Sequence, residues 1–173
     1  MRKAVYAASF DPITNGHLWC IRQGIRVFDQ LVVACGTNPD KRPTFSLEER
    51  VEMVKEATEG YQNVEIDTYE DQFLIHYVRS VGAEYILRGI RTEADYEYER
   101  AMRHINSDLD SNVVTVFVMP PREISEVSSS VVKGLVGPEG WQKVIRRYVP
   151  DPVYRRFEER FSGKNGGSKL KGV

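Results

Sequence analysis

The sequence predicts an α/β protein built on a doubly wound, five-stranded parallel sheet with C-terminal helices. Short apolar runs with strand character alternate with longer segments whose apolar residues recur at helical spacing. The first two runs are separated by a single helical segment, as in a right-handed β-α-β unit, which makes its strands parallel. Polar loops follow these runs, at the edge where open α/β sheets hold their ligands.

Composition indicates a single cytoplasmic domain. The 173 residues suit one domain with its own core, which we place at 1–162, followed by a flexible Gly- and Lys-rich tail at 163–173. The 24 basic and 25 acidic residues nearly balance, which argues against a protein that mainly coats nucleic acid or an anionic membrane. No apolar run is long enough to span a bilayer. Met1-Arg2-Lys3 leads into a strand rather than a signal-peptide core.

Neither cysteine has the surroundings of a metal or redox site. Cys20 falls in a helical pattern and Cys35 in a strand pattern, without Cys-x-x-Cys spacing. Both are expected to be reduced core residues, and no protein metal site is predicted. His76 lies in a helical stripe and receives no role.

The first loop has the composition of a phosphate site. Residues 8–17, ASFDPITNGH, join the first strand, 4–8, to the first helix. Asp11-Pro12 and Asn15-Gly16 are turn dipeptides, and Gly16 allows close approach of a ligand where helix N–H groups are free. His17 lies in the first helical turn. The pattern Thr-x-Gly-His is weak alone and gains weight only from the later loops.

A second strand is predicted at Gln30–Gly36. The loop 37–43 leaves its carboxyl end and carries Lys41 and Arg42 on the ligand side of the sheet. Ser46-x-x-Glu49 is a capping box that begins the next helix.

The third and fourth strands are predicted at 63–68 and 85–87, separated by a helical stripe at 73–81. The fourth strand runs into Arg88-Gly89-Ile90-Arg91. Two guanidinium groups at a strand's carboxyl end suit bidentate contact with phosphate.

A long helix is predicted after Thr92. Most of the acids in its first turns are expected to be solvent groups that complement the helix dipole, although one could hydrogen-bond a nucleotide: Glu93, Asp95, Glu97 and Glu99. The fifth strand, 113–119, is a continuous β-branched run, which predicts burial on both faces.

A loop opened by Pro120-Pro121 ends in Ser128-Ser129-Ser130, one turn before Lys133. One serine would suffice as a helix cap. Three serines followed by a lysine favour hydroxyl and amide groups gathered around a phosphate chain. Helical segments follow at 141–148 and 152–161.

Together these loops predict a crevice that binds polyphosphate. The sequence lacks the glycine pattern of a dinucleotide fold and the Gly-Lys-Ser/Thr ending of a P-loop. No nucleophilic triad is visible. Direct attack of one bound substrate on another is therefore expected, with the protein supplying position and positive charge.

At these loops the chain resembles a known family. SFDPITNGH is similar to the (S/T)FDPxTxGH signature of bacterial nucleotidyltransferases. With NPDKRP, LRGIRTEADYEYE and SSSVVK, it resembles the phosphopantetheine adenylyltransferases over about residues 3–135. The resemblance implies a Rossmann-like nucleotidyltransferase fold and transfer of adenylyl from ATP to 4'-phosphopantetheine, giving dephospho-coenzyme A and pyrophosphate. It also implies Mg²⁺ on the ATP phosphates, a homohexamer, and binding of dephospho-coenzyme A and coenzyme A as product or inhibitor.

The resemblance further implies roles for individual residues. His17 would hold the α-phosphate in the transition state. The acceptor would be bound by Ser9, Lys41, Leu74 and Arg88. ATP would contact Ser9, Phe10, His17, Gly89, Ile90, Arg91, Glu99, Ile124, Ser125, Glu126, Val127, Ser128, Ser129 and Ser130.

Some positions depart from the family pattern. Ala7-Ala8 stands where Pro-Gly is common, and Ser9 replaces the more frequent Thr. Ile124 stands where Trp is common, and Glu126 adds an acidic group to a phosphate-side loop. The last two departures, at Ile124 and Glu126, bear on ATP affinity more than on reaction type.

Two alternative functions stay open: an adenylyl- or cytidylyltransferase for another phosphate acceptor, such as nicotinamide mononucleotide or glycerol phosphate, and a non-catalytic nucleotide-binding module. The protonation of His17 is open as well. A helix N-terminus disfavours the imidazolium, whereas bound phosphates favour it.

Overall fold

The computed structural model describes residues 1–37 and 42–161. Lys41 and the predicted tail, 163–173, lie outside the described residues.

The sheet has five strands in the order β3-β2-β1-β4-β5, and every pairing is parallel. The strands are β1 (Lys3–Ala8), β2 (Gln30–Gly36), β3 (Val64–Tyr69), β4 (Tyr85–Gly89) and β5 (Val114–Val118). The predicted fold class is confirmed. Because the strand order reverses between β1 and β4, the carboxyl ends of these two strands flank the crevice where such sheets bind ligands.

Eight helices connect or follow the strands in the described residues: α1 (Asn15–Val27), α2 (Leu47–Ala57), α3 (Leu74–Ser80), α4 (Glu93–Leu109), α5 (Arg122–Ser125), α6 (Ser129–Leu135), α7 (Trp141–Ile145) and α8 (Asp151–Phe161). The capping box of α2 is confirmed, since the Ser46 N–H donates to Glu49 Oε2 at 2.7 Å and the Glu49 N–H donates to Ser46 Oγ at 3.3 Å. The α5 turn lies in what was predicted to be a loop, and α7 ends before the predicted limit. Across residues 1–37 and 42–161, no helix combines the length and apolar character needed to cross a membrane.

Apolar clusters cover both faces of the central strand. Ala4 and Tyr6 of β1 point into the larger cluster, which includes residues of α1, α2, α6, α7 and α8. Val5 and Ala7 point into the smaller one, beside residues of α3. Alternate side chains of one strand therefore meet different layers, as expected for an interior strand of a parallel sheet. Cys20 and Cys35 are buried and unpaired, as predicted.

The prediction that the fifth strand is buried on both faces is wrong. Val114 is 51% exposed and Phe117 is 37% exposed. The strand lies at the edge of the sheet beside β4 alone, and Glu99 is the one buried residue of α4, the helix that precedes it in the chain. A β-branched run signals strand propensity, which an edge strand shares with an interior one.

Candidate active site

A cavity of about 390 Å³ lies where β1 and β4 end, and its volume falls in the ordinary range for small-ligand sites, roughly 300–1,000 Å³. The first loop, the end of β4, the start of α4 and the segment joining α5 to α6 form its walls. The structure brings these predicted site residues together on the walls: His17, Arg88, Gly89, Arg91, Glu99, Val127, Ser128, Ser129 and Ser130.

His17 is held by a capping box at the start of α1. Thr14 is the N-cap, and its Oγ1 accepts the N–H of His17 at 3.4 Å. In return, the backbone N–H of Thr14 donates to Nδ1 of the His17 ring at 3.1 Å. Glu or Gln usually fills this third helical position, because its side chain accepts the N-cap N–H. Since Nδ1 is the acceptor here, the proton of the neutral ring lies on Nε2.

The surroundings of His17 favour its neutral form. Burial, together with the positive charges of Arg91 and Arg88, lowers the pKa of the ring to about 4, and burial has the largest effect. The fully buried ring of Phe10 packs edge-on against it, with centroids 5.1 Å apart. In the free protein, His17 is therefore a neutral Nε2–H donor fixed in orientation.

Arg88 is bound on three sides. Its Nε donates to Glu99 Oε2 at 2.8 Å, its Nη2 donates to Glu99 Oε1, and its Nη1 donates to the carbonyl of Ala7 at 2.6 Å. Burial works against the charge of Arg88, but the hydrogen bonds and charge of Glu99 outweigh it, and the pKa of the guanidinium is raised. Arg88 thus joins the ends of β1 and β4 to α4.

Arg91 pairs with a second carboxylate of α4. Its Nε donates to Asp95 Oδ2 at 3.0 Å, and its Nη2 donates to Oδ1 at 3.1 Å. Although burial acts to raise it, the pKa of Asp95 is lowered by these hydrogen bonds from Arg91. Nη1 of Arg91 also donates to the carbonyl of Val127 at 3.3 Å. Asp95 and Glu99, two of the four acids of which most were expected to be solvent groups, thus pair with arginines, because the four-residue spacing places both on the helix face that meets them.

The serine run begins α6 as predicted. Ser128 is the N-cap, and its Oγ accepts the N–H of Val131 at 3.1 Å. Ser129 Oγ donates to the carbonyl of Pro12 at 2.8 Å, so this hydroxyl fastens α6 to the first loop. The N–H groups of Ser129 and Ser130 occupy the first helical positions, where no acceptor exists within the helix.

Two glycines allow close contacts around the cavity. A Cβ on Gly16 would lie 3.3 Å from the carbonyl oxygen of Val127, and one on Gly89 would lie 2.8 Å from Sγ of Cys20. Gly16 was predicted to let a ligand approach. Its missing Cβ also lets α1 contact the segment that carries the serine run.

Asp11 is the residue of this region that sequence reasoning missed. It was treated only as part of a turn, where an exposed aspartate is ordinary. In the structure it is 6% exposed and contacts the chain before α2 as well as Lys133 of α6. Lys133 was predicted to lie behind a phosphate site, and in the structure its ammonium group donates to Asp11. The sequence did offer one signal, because a carboxylate inside a predicted anion-binding loop needs a partner that neutralises its charge.

Several of the predicted site residues that the structure describes do not line the cavity. Ser9 is exposed, and its carbonyl accepts Nη1 of Arg50 at 2.6 Å. Phe10 and Ile90 are buried. Leu74 begins α3 and packs on the smaller apolar cluster. Ile124 and Ser125 lie in α5, and Glu126 is the C-cap of that helix. All three precede the segment that lines the cavity. Their binding roles, and that of Lys41, stay predictions.

Comparison with known proteins agrees with the architecture and the motifs. The cytidylyltransferase-like family matches residues 5–135. The phosphopantetheine adenylyltransferase of Chromobacterium violaceum is 58% identical over 94% of this chain and 99% of its own. Its namesake from Neisseria meningitidis is 60% identical over 90% and 92%, and that from Caldanaerobacter subterraneus is 42% identical over 93% and 98%.

Among solved structures, Plasmodium falciparum nicotinic acid mononucleotide adenylyltransferase complexed with NaAD superposes with a TM-score of 0.65 at 15% identity, covering 93% of this chain and 96% of that one. At this identity, the likeness concerns the fold. The matched family domain and the high identity to relatives along nearly their whole length place the chain in the phosphopantetheine adenylyltransferase family of cytidylyltransferase-like nucleotidyltransferases.

Proposed function

We propose that this protein transfers the adenylyl group of ATP to 4'-phosphopantetheine, giving dephospho-coenzyme A and pyrophosphate, a late step of coenzyme A biosynthesis. The observation that carries the proposal is the neutral His17 ring, oriented by Thr14, on the wall of a cavity that also contains Arg88 and Arg91. Membership of the family supports the choice of substrates.

The reaction needs no covalent intermediate on the protein. A phosphate oxygen of the acceptor attacks the α-phosphorus of ATP, the bond from that phosphorus to the oxygen bridging to the β-phosphate breaks, and pyrophosphate leaves. Negative charge grows on the oxygens around the α-phosphorus and on the leaving oxygen. The Nε2–H of His17 meets this charge without reorienting, which is the condition under which a fixed donor is most effective.

The arginines can bind phosphate without leaving their carboxylate partners. A guanidinium has five N–H donors. Arg88 uses three of them on Glu99 and Ala7, and Arg91 uses three on Asp95 and Val127. Two donors on each side chain are left for phosphate oxygens, at positions fixed by the existing bonds.

We place ATP against the β4 and α6 side of the cavity and the acceptor against the β1 and β2 side. The free N–H groups at the start of α6 support a place for the ATP phosphates there. The exposed Ser9 supports the acceptor side, and Lys41 belongs to it by resemblance. Dephospho-coenzyme A would span both parts as product, and coenzyme A would compete as an inhibitor. We expect the reaction to occur in the cytoplasm.

We propose that Mg²⁺ enters on the ATP phosphates as part of the substrate. The cavity carboxylates Asp95 and Glu99 are already engaged by arginines, so the wall as a whole presents donors that fit phosphate oxygens. Varying Mg²⁺ at constant ATP should give a rate that follows the concentration of the Mg²⁺–ATP complex.

Pyrophosphate release from ATP tests the function directly. We expect release only when ATP, Mg²⁺ and 4'-phosphopantetheine are all present. Nicotinamide mononucleotide and glycerol phosphate should give no release above the acceptor-free control. Equal rates with nicotinamide mononucleotide would point to another transferase, and binding of ATP without turnover on any acceptor would point to a binding module.

We further propose that the protein is a homo-oligomer, a hexamer by resemblance. In support, large apolar side chains are exposed on α4, on the edge strand β5 and just beyond its end: Tyr98, Ile105, Leu109, Val114, Phe117 and Met119. Exposed apolar surface of this kind is typical of interaction sites. Light scattering at micromolar concentration should give a mass several times 19.9 kDa, whereas the mass of one chain would contradict the proposal.

A further inference from the structure

Asp11 is a buried carboxylate with hydrogen-bond donors on both of its oxygens. It is 6% exposed. Its Oδ1 accepts the N–H of Phe45 at 2.9 Å, and its Oδ2 accepts the N–H of Thr44 at 3.0 Å and Nζ of Lys133 at 3.0 Å. The side chain of Lys133 is itself only 17% exposed in this pair.

These bonds connect three segments of the site. Asp11 belongs to the first loop, between β1 and His17. Thr44 and Phe45 end the connection from β2 to α2, and Lys133 lies on α6. Ser129 adds a second link between α6 and the first loop through the carbonyl of Pro12, at 2.8 Å. The first loop is therefore fastened on one side to the segment next to the acceptor part of the site, and on the other to the segment next to the ATP phosphates.

The turn at Asp11 does not by itself need a charged side chain. Two backbone N–H groups could be satisfied by a neutral acceptor such as the amide of Asn. Burying a carboxylate and an ammonium removes both from water, and that desolvation often cancels their attraction, so such a pair is weak evidence for stability. The main effect of the pair is geometric. A charged acceptor that binds several donors fixes the relative positions of the chain segments that carry those donors.

We propose that Asp11, paired with Lys133, is a positioning residue that sets the relative placement of the two reacting phosphates. This inference rests on the proposed adenylyl transfer. The attacking oxygen and the α-phosphorus must approach to about 3–3.5 Å, and a displacement of about 1 Å can lower the rate by roughly 10²-fold. Loss of the pair should therefore affect kcat more than the affinity for either substrate alone.

The test compares Asp11→Asn, Lys133→Met and the double variant. We expect each single variant to lower kcat at least ~10-fold, with the KM for ATP and the binding of ATP alone changed less than ~3-fold. If the two residues act as a pair, the double variant should be no slower than the slower single variant. The full chain is used throughout, and rates are expressed per folded enzyme.

Asp110→Asn is the matched control. Asp110 forms an ion pair with Arg79, with Oδ2 lying 3.1 Å from Nε, and the Asp110 side chain is 20% exposed. It caps the far end of α4, about 25 Å along the helix from the end nearest the cavity, at 1.5 Å per residue. The same chemical change should leave kcat within ~2-fold, since it breaks an ion pair without touching the site.

Three results would overturn the proposal: parental kcat in folded Asp11→Asn, losses that multiply in the double variant, or a raised KM for ATP with unchanged kcat in Lys133→Met, which would make the lysine a direct phosphate ligand. If Asp11→Asn does not fold, Lys133→Met decides alone, because Asp11 then keeps its backbone donors. Lys133→Arg should recover part of the kcat lost in Lys133→Met. A parent enzyme that releases no pyrophosphate would instead refute the proposed function.

Discussion

At the start of α1, one imidazole serves the fold and the reaction through different atoms. Nδ1 of His17 accepts the N–H of Thr14, which would otherwise be an unsatisfied group at the helix end. Nε2 keeps the proton. Because the cap selects the tautomer, a substitution that preserves the cap but not the donor separates the two roles.

We predict that His17→Gln keeps more activity than His17→Glu or His17→Ala. Gln and Glu both suit the third position of a capping box, so both should preserve the helix start. Gln also presents an amide N–H, whereas Glu presents negative charge to the reacting phosphates. Steady-state kcat should fall ~10²- to 10³-fold for Ala, the usual loss for one preorganised donor, and at least as far for Glu.

Melting temperatures for the same variants show whether the cap survives. His17→Ala should lower the free energy of unfolding by about 1 kcal/mol, as for loss of a capping interaction, and His17→Gln should lower it less. A His17→Ala enzyme with parental kcat and lowered stability would make the histidine purely structural. If the His17→Gln enzyme were as slow as the His17→Ala enzyme, the donor in the reaction would be an imidazolium.

The ring of His17 should stay neutral well below pH 6.5. Its pKa is lowered to about 4, chiefly by burial, whereas the unfolded chain takes up the proton near the ordinary value of about 6.5. The unfolded state therefore binds more protons between these values, so this contribution to stability is complete above pH 6.5 and is lost as pH falls towards 4. The ring ¹⁵N shifts of the free enzyme, assigned by comparison with His17→Gln, should show an Nε2–H tautomer at pH 5.5. Titration near 6.5 would contradict this.

Between elements, the packing of α1 on β4 depends on the absence of one methyl group. A Cβ on Gly89 would lie 2.8 Å from Sγ of Cys20. We predict that Gly89→Ala lowers the free energy of unfolding by about 1–3 kcal/mol, as overpacking does, and that adding Cys20→Ala recovers part of the loss. Denaturant unfolding of both variants measures this.

Gly134→Ala is the control for that change. It lies in α6 with nothing within 4 Å of the added Cβ, so it should stabilise by about 0.5–1 kcal/mol through helix propensity. Equal effects at Gly89 and Gly134 would show that α1 can move aside without cost.

The elements themselves were largely predictable, because their signals are local. Gln30–Gly36 was predicted with the observed limits, and the capping box at Ser46 is readable from two residues three apart. Both arginines and the serine run fall on the cavity wall, since the end of a parallel strand fixes which side of the sheet a loop occupies.

Features that depend on distant partners were not predictable. The pairing of Arg88 with Glu99 and the contacts of Asp11 join residues 11 to 122 positions apart. No periodicity or dipeptide reports such a distance. The exposure of β5 was missed for a related reason, since strand order decides which strand lies at the edge.

For the molecule as a whole, the C-terminal boundary of the folded unit can be measured by two truncations. Val153 and Phe157 of α8 are fully buried, and each such side chain contributes about 1.5–3 kcal/mol by burial, against a total stability of about 5–15 kcal/mol. We predict that a chain ending at residue 150 unfolds or melts far lower.

A chain ending at residue 162 should keep the parental melting temperature and turnover, because the removed segment is rich in Gly and Lys and has little apolar area to bury. Differential scanning calorimetry compares the two. A large loss in the longer chain would place part of the stability in residues 163–173.

The two arginines on the cavity wall are matched by two carboxylates, Glu99 and Asp95, so the wall carries little net charge. A polyanion held there is retained by the direction of individual N–H groups rather than by a broad electrostatic field. Ionic strength screens such short contacts weakly, and we expect the KM for ATP to change little between low and moderate salt; a steep rise would show that a field dominates. The same balance makes release easier, because pyrophosphate, once detached, has no surplus of positive charge to hold it in the site.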